Sequence, residues 1–242
     1  MIILIFFVSC QQDKSSITDI NQRPIKRGAE LGDDPPNPPN GAPPTDDLPQ
    51  NDPKLPFTPV AGSFIEENGL IIIEAESGEI SGEWALKTEH SGFSGSGYMN
   101  WAGPDMWAGP ATEPTTNLIR FKLEIKTPGI YKMRLHHRGD TPVEGGAVDH
   151  NNDVFTRMGL NKPWIKTLFF GDKKGAWTRE IRLEPGHHVF EDPAYDLGVG
   201  VHQFDFLGRS HNYSVDRIGF YLVTIHGDNP EIDLNTPESA RR

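Results

Sequence analysis

The sequence predicts an all-β fold, an antiparallel β-sandwich of the jelly-roll kind. Three observations carry this expectation. Between residues 61 and 225 the chain consists of short runs in which apolar and polar residues alternate. Gly, Pro, Asn and Asp separate those runs at short intervals. No run shows the longer period of an amphipathic helix. A twisted sheet with one apolar face buries it by packing on a second sheet.

The elements follow in order. Residues 1–10, MIILIFFVSC, form an apolar run that ends at Cys10, the only cysteine. An intramolecular disulfide is therefore excluded. Residues 11–60 hold eleven of the 21 prolines, interleaved with Asp, Asn and Gly. Such a segment cannot bury enough apolar surface to offset its ordering entropy and reads as a flexible, Pro-rich linker biased to polyproline II. Residues 70–76, LIIIEAE, are the first main strand. Alternation puts Glu74 and Glu76 on one face, where two carboxylates repel and call for solvent, basic partners or a hard cation such as calcium.

In residues 118–125 Ile119, Phe121, Leu123 and Ile125 oppose Arg120, Lys122 and Glu124, the mark of a half-buried strand. Pro128-Gly129 turns the chain into a strand at 130–137. Further strands are expected at 154–160, 166–170, 176–183, 201–207 and 214–223, and residues 226–242 read as a flexible tail. Taken together, residues 61–225 form the one folded domain.

Composition narrows the partners. With 34 acidic against 23 basic residues the formal charge is −11, which argues against nucleic acid. After the first ten residues no stretch is apolar and long enough to span a bilayer.

Two resemblances sharpen the reading. The apolar run ending in Ser9-Cys10 is similar to the lipobox of bacterial lipoproteins, although Phe7 stands where leucine is usual and the basic start of a signal peptide is missing, so that a start codon further upstream is expected. This resemblance implies a signal peptide, acylation of Cys10 (palmitate included) and a lipid-anchored place in the bacterial cell envelope, with the linker as a spacer. The alternatives are a plain cleaved signal peptide and an apolar end with a buried thiol. Separately, Ile73-Glu74-Ala75-Glu76-Ser77, the run Ser91 to Tyr98, Thr127-Pro128-Gly129-Ile130-Tyr131 and Val215-Asp216-Arg217-Ile218 resemble carbohydrate-binding modules of the family 6 and 35 type. That likeness covers residues 70–223 and implies a galactose-binding-like jelly roll. It also implies a structural calcium held by Glu74, Glu76 and Asp216, and a non-catalytic role in binding polysaccharide or oligosaccharide, with a glycan-degrading enzyme as a further partner. Ser214 stands where the family carries an asparagine, with Asn212 nearby.

Sugar recognition asks for exposed aromatic faces and polar groups around them. Tyr98, Trp101 and Trp107 lie in a glycine-rich segment and are candidate platforms, with core packing as the alternative for each. The same choice faces Trp84, Trp164 and Trp177, where Trp177 sits in a strand-like run and favours the core. Arg138, His150, Asn151, Asp153, Arg209 and Asn212 fall in three loops that flank strands, so they are candidate ligand-binding groups able to read an acidic glycan. Under the opposing reading Arg138 and Arg209 pair with Asp149 and Asp153 to brace those loops. The nine histidines include the adjacent pairs His136-His137 and His187-His188, which on a strand would face opposite ways and so share no ion; solvent-facing or loop positions are expected. A lyase could draw on His150, His202, His211, Tyr213, Arg138 and Arg209, and a hydrolase on Asp149, Asp153 and Asp205. A structural surface lipoprotein without glycan ligand is the third class.

Overall fold

The computed structural model describes residues 62–140, 151–170, 173 and 175–242. Along the chain run β1 (Phe64–Ile65), β2 (Leu70–Glu74), a 3-10 turn at Ala75–Ser77, β3 (Glu79–Ile80), β4 (Trp84–Lys87), β5 (Tyr98–Trp101), β6 (Leu118–Ile125) and β7 (Gly129–Gly139). Then follow β8 (Asp153–Met158), β9 (Ile165–Leu168), β10 (Arg182–Gly186), β11 (Val189–Glu191), β12 (Ala194–Leu197), β13 (Gly200–Leu207), β14 (Tyr213–Leu222) and one short helix, α1 (Val223–His226). Among the described residues, eight strands make one sheet, in the order β1-β6-β13-β8-β9-β10-β11 with β3 also on β6. Six make the other, in the order β12-β7-β14-β5-β4 with β2 also on β14. Apart from the parallel contact of β1 with β6, the pairings are antiparallel.

Alternation does the sorting. Ile119, Phe121, Leu123 and Ile125 of β6 and Phe204 and Phe206 of β13 point inward from the first sheet, and Tyr131, Met133, Leu135, Ile218 and Phe220 meet them from the second. The Phe204 and Phe220 rings touch edge to face across the gap, 5.2 Å between centroids. β14 is the axis of the second sheet. Its start pairs with β5 at Ser214 and Val215, its end pairs with β2 from Arg217 to Tyr221, and β7 runs along its other side. Against β7 the register slips between Val215 and Arg217, so Asp216 is the extra residue of a bulge.

Three expectations need correction. The strand at 176–183 is mostly loop: Thr178 makes a single bridge to His137, and regular pairing begins at Arg182. The first strand ends at Glu74, and Glu76 lies in the 3-10 turn that follows. The tail is not loose. β2 pairs with β14 along one edge, which leaves backbone groups open on the other. The tail fills that edge: Ser239 N–H donates to the Ile72 carbonyl at 2.8 Å, and Ile72 and Glu74 N–H donate to the Ser239 hydroxyl and the Glu238 carboxylate, each at 3.0 Å. Arg217, enclosed on the outer face of the second sheet, donates to the carbonyls of Leu234 and Thr236, and Arg134 donates to that of Pro230.

Candidate functional site

The loops β5–β6 (residues 102–117) and β13–β14 (residues 208–212) meet the start of β8 at one end of the sandwich. Asn212 N–H donates to the Trp101 carbonyl at 2.9 Å, His211 N–H donates to Asp105 at 2.8 Å, and the His211 ring donates through Nδ1 to the Gly103 carbonyl at 2.8 Å. Arg209 and the Ser210 hydroxyl both hold the Asp153 carboxylate. Bracing therefore accounts for Asp153, and for one of the guanidinium contacts of Arg209. Arg138 pairs with Asp140, at 3.2 Å, and His90 joins the same carboxylate at 3.3 Å. Asn151 and Asn212 take left-handed turn conformations at φ 64° and 61° and stay partly exposed. His150 and Asp149 lie outside the described residues, as does Cys10.

The aromatic candidates divide sharply. Trp101 is wholly enclosed, with its indole N–H donated to the Pro104 carbonyl at 3.0 Å and Trp84 5.6 Å away. A side chain at Gly208 or Gly103 would come within 2.2 Å of the Trp101 ring. Gly103, in the glycine-rich segment that suggested an open platform, and the distant Gly208 instead make room for this ring. Tyr98 is equally buried, beneath His90, Phe93 and the edge of Trp177. Neither can offer a face to a ligand. Trp107 can, because 62% of it is exposed on the crest of the β5–β6 loop.

Trp107 overhangs a groove of about 190 Å³ on the outer face of the first sheet. Its floor is a cross-strand row: Phe155 of β8 lies opposite Lys166 of β9, and Lys166 opposite Glu184 of β10. Arg209 leans over Phe155, 5.4 Å from the ring centroid, and His187 closes the far side. Burial alone would raise the Glu184 carboxyl, but the Lys166 ammonium and the His188 N–H outweigh it and hold it below the usual range. The groove is thus an aromatic face ringed by compensated charges. Its volume suits one ring-sized group and lies below the roughly 300–1,000 Å³ that encloses a drug-sized ligand. Phe155, Lys166 and Glu184 were not singled out by the sequence, and His187 only as half of an adjacent histidine pair. The alternation of β8 and the Pro185-Gly186 turn dipeptide carried the missing signal.

One row further along, the charges are sealed. Asp205 accepts from Arg120 at 3.0 Å and from Arg157 at 2.7 Å, while Arg157 also pairs with Glu113 and stacks 4.3 Å over Trp164. Asp205 is 1% exposed and fully engaged, so it cannot act with Asp153 as a hydrolytic pair.

Glu74 at the end of β2, Glu76 in the 3-10 turn and Asp216 of β14 all reach the Ser94–Ser96 loop. Glu74 accepts from the Ser94 hydroxyl at 2.8 Å, Asp216 from Ser94 N–H at 3.0 Å, and Glu76 from Ser96 N–H at 2.8 Å. Gly95 between those serines, at φ 64°, leaves no space for a Cβ, which would meet Glu76 at 2.4 Å. The second oxygen of Glu76 is buried and has no hydrogen-bond partner in the protein. Hard oxygen donors, one of them unsatisfied, are of the type calcium takes, while Arg217 already pairs with Glu74 at 3.5 Å. His136 Nδ1 lies 2.6 Å from Asp216, and Trp177 stacks on the His136 ring at 4.7 Å. Trp177 thus lids this pair from outside rather than filling the core.

His136 and His137 do face opposite ways, but neither is solvent-facing. His137 is in the core with Nε2 2.6 Å from the Glu180 carbonyl and Nδ1 2.6 Å from the Tyr213 hydroxyl. A carbonyl only accepts, so Nε2 carries the hydrogen and Tyr213 O–H donates to Nδ1. Burial pushes His137 down to about 3 and raises the Tyr213 phenol well above its ordinary value. Tyr213 is therefore a buried donor, unavailable as a lyase base, and His202 turns to the Gly198 carbonyl at the other end of β13. The proposed lyase set does not assemble among the described residues.

No family model matches the chain, and no curated protein matches it. Solved structures do. A Podospora anserina GH26-CBM35 β-(1,4)-mannanase is 16% identical with a TM-score of 0.44, covering 64% of this chain and 28% of that one. A family 35 carbohydrate binding module from Clostridium thermocellum is 18% identical with a TM-score of 0.41, covering 63% and 98%. A ruminal GH26 endo-β-1,4-mannanase is 15% identical with a TM-score of 0.39, covering 62% and 25%. The chain thus spans about a quarter of either mannanase and nearly the whole of the isolated module. It is similar, at these identities, to structures that carry a family 35 carbohydrate-binding module.

Proposed function

We propose that this protein binds carbohydrate without transforming it, and that the ligand lies in the groove under Trp107. The observation that carries this is the exposed indole above a row of paired charges. A sugar offers an apolar C–H face to an aromatic ring and hydroxyls to its rim. Arg209 and Lys166 have N–H donors beyond those engaged by Asp153 and Glu184, and suit hydroxyl or uronate oxygens. Trp107→Ala should abolish retardation in native gels cast with the polysaccharide that retards the parent chain, across a panel of neutral mannan and xylan and acidic alginate and ulvan. Equal retardation of both proteins would refute the groove. Release of unsaturated products absorbing near 235 nm would refute the non-catalytic reading.

Two parts of the reading stand on sequence and donor chemistry. Glu74, Glu76 and Asp216 would hold calcium, which supplies positive charge to three neighbouring carboxylates and ties β2 to β14. Acylation at Cys10 would anchor the protein in a bacterial envelope with residues 11–60 as the spacer, about 150 Å at full extension. Metabolic labelling with an alkyne fatty acid tests this: Cys10→Ser should lose the label, and a labelled variant would contradict it.

A further inference from the structure

We propose that the β10–β11 turn is a binding site for a borderline divalent cation of the zinc class, formed by Glu184, His187 and His188. The two histidines are not on a strand. Gly186 pairs with Val189, so His187 and His188 are the two residues of the hairpin loop. His188 takes a left-handed conformation, φ 58°, which non-glycine residues adopt infrequently. That turn removes the strand alternation that would have sent the imidazoles to opposite faces. Their ring centroids lie 3.9 Å apart. Glu184, three residues before His187, completes the group: one ligand atom from each side chain lies within 4.8 Å of the others.

The chemistry is selective. Two imidazole nitrogens and one carboxylate oxygen suit zinc, and also copper or nickel, whereas calcium and magnesium prefer oxygen-only sets. The carboxylate is fixed in advance, since Lys166 holds one oxygen and His188 N–H donates to the other at 2.9 Å. A carboxylate has about four lone-pair positions, so both contacts leave room for a metal. Both imidazoles are exposed and can close on an ion at small cost. Three protein ligands leave a fourth position open to solvent. This site is separate from the oxygen-only acids of β2 and β14 and stands whether or not the groove binds sugar.

The test is calorimetric titration of the tag-free full chain with zinc chloride at pH 7.5, in excess calcium to occupy the carboxylate cluster. One equivalent should bind, and the His187→Ala/His188→Ala double variant should bind at least tenfold more weakly with an unchanged metal-free melting temperature. His202→Ala, at the far end of β13, should titrate like the parent. Absence of zinc binding by the parent, or undiminished binding by the double variant, would overturn the site. Glu184→Gln should also weaken binding; if it alters the fold, the double variant, which touches only exposed side chains, still decides.

Discussion

The outer faces of the two sheets differ in what covers them. Both carry buried arginines, Arg134 and Arg217 on the second sheet and Arg120 and Arg157 on the first. On the second sheet the chain closes over its own charges: the C-terminal segment accepts from both arginines, and Trp177 caps His136. On the first sheet the β5–β6 loop reaches the Arg120–Asp205–Arg157 row through Glu113, and reaches the next row with the exposed Trp107, which stands over Phe155 and Lys166. The proposed binding surface lies where the cover thins to a single exposed ring, and the contrast can be broken from either side.

The largest effect is expected at the enclosed tryptophan. Trp101→Ala should cost about 3–5 kcal/mol and lower the denaturation midpoint accordingly, because it empties a site between Gly103, Gly208 and Trp84. Trp107→Ala should shift the midpoint by less than about 0.5 kcal/mol. Similar costs for both would erase the distinction between the two rings. Next, removing residues 228–242 would take the partners from Arg134 and Arg217 and the cover from the β2 edge, at about 3 kcal/mol or more. A truncated chain that melts like the parent would show that the tail merely rests there.

His137 gives a pH-dependent effect with a defined sign. Its folded value, about 3, lies below the usual 6.5, so between those limits the unfolded chain binds the extra proton. Stability should fall as pH drops from about 6.5 toward 3, at up to ~1.4 kcal/mol per pH unit from this group. Replacing His137 with Gln should flatten that slope, whatever it does to stability at pH 7; an unaltered slope would place the acid sensitivity elsewhere. Smaller again, chelator should lower the melting temperature by a few degrees if Glu74, Glu76 and Asp216 hold calcium, and an unchanged melt would remove that assignment.

How much of this was legible in advance follows from the range of the signals. The strand at Leu118–Ile125 was readable to the residue, because alternation is local and both faces have clear partners. The set Glu74, Glu76 and Asp216 came only from the family resemblance, and Glu76 reaches the Ser94–Ser96 loop from a 3-10 turn where alternation had placed it on a strand. The exposure of the aromatics was not legible. Trp101 and Trp107 are six residues apart in one glycine-rich stretch, and what separates them is Gly208, more than a hundred residues away. The groove floor was hidden for the same reason, since Phe155, Lys166 and Glu184 become neighbours only through the register of β8, β9 and β10. His187 and His188 are exposed turn residues, as expected of solvent-facing or loop histidines, but the strand rule that would set adjacent rings on opposite faces does not apply at that turn.

The most direct measurement is a ¹H–¹⁵N spectrum of the tryptophan indoles while the retarding oligosaccharide is added. Ligand in the groove should move the Trp107 indole resonance in proportion to saturation and leave those of Trp84 and Trp101 in place. Saturable shifts at Trp177 or at the enclosed rings, with Trp107 unmoved, would contradict it and put recognition on the other sheet.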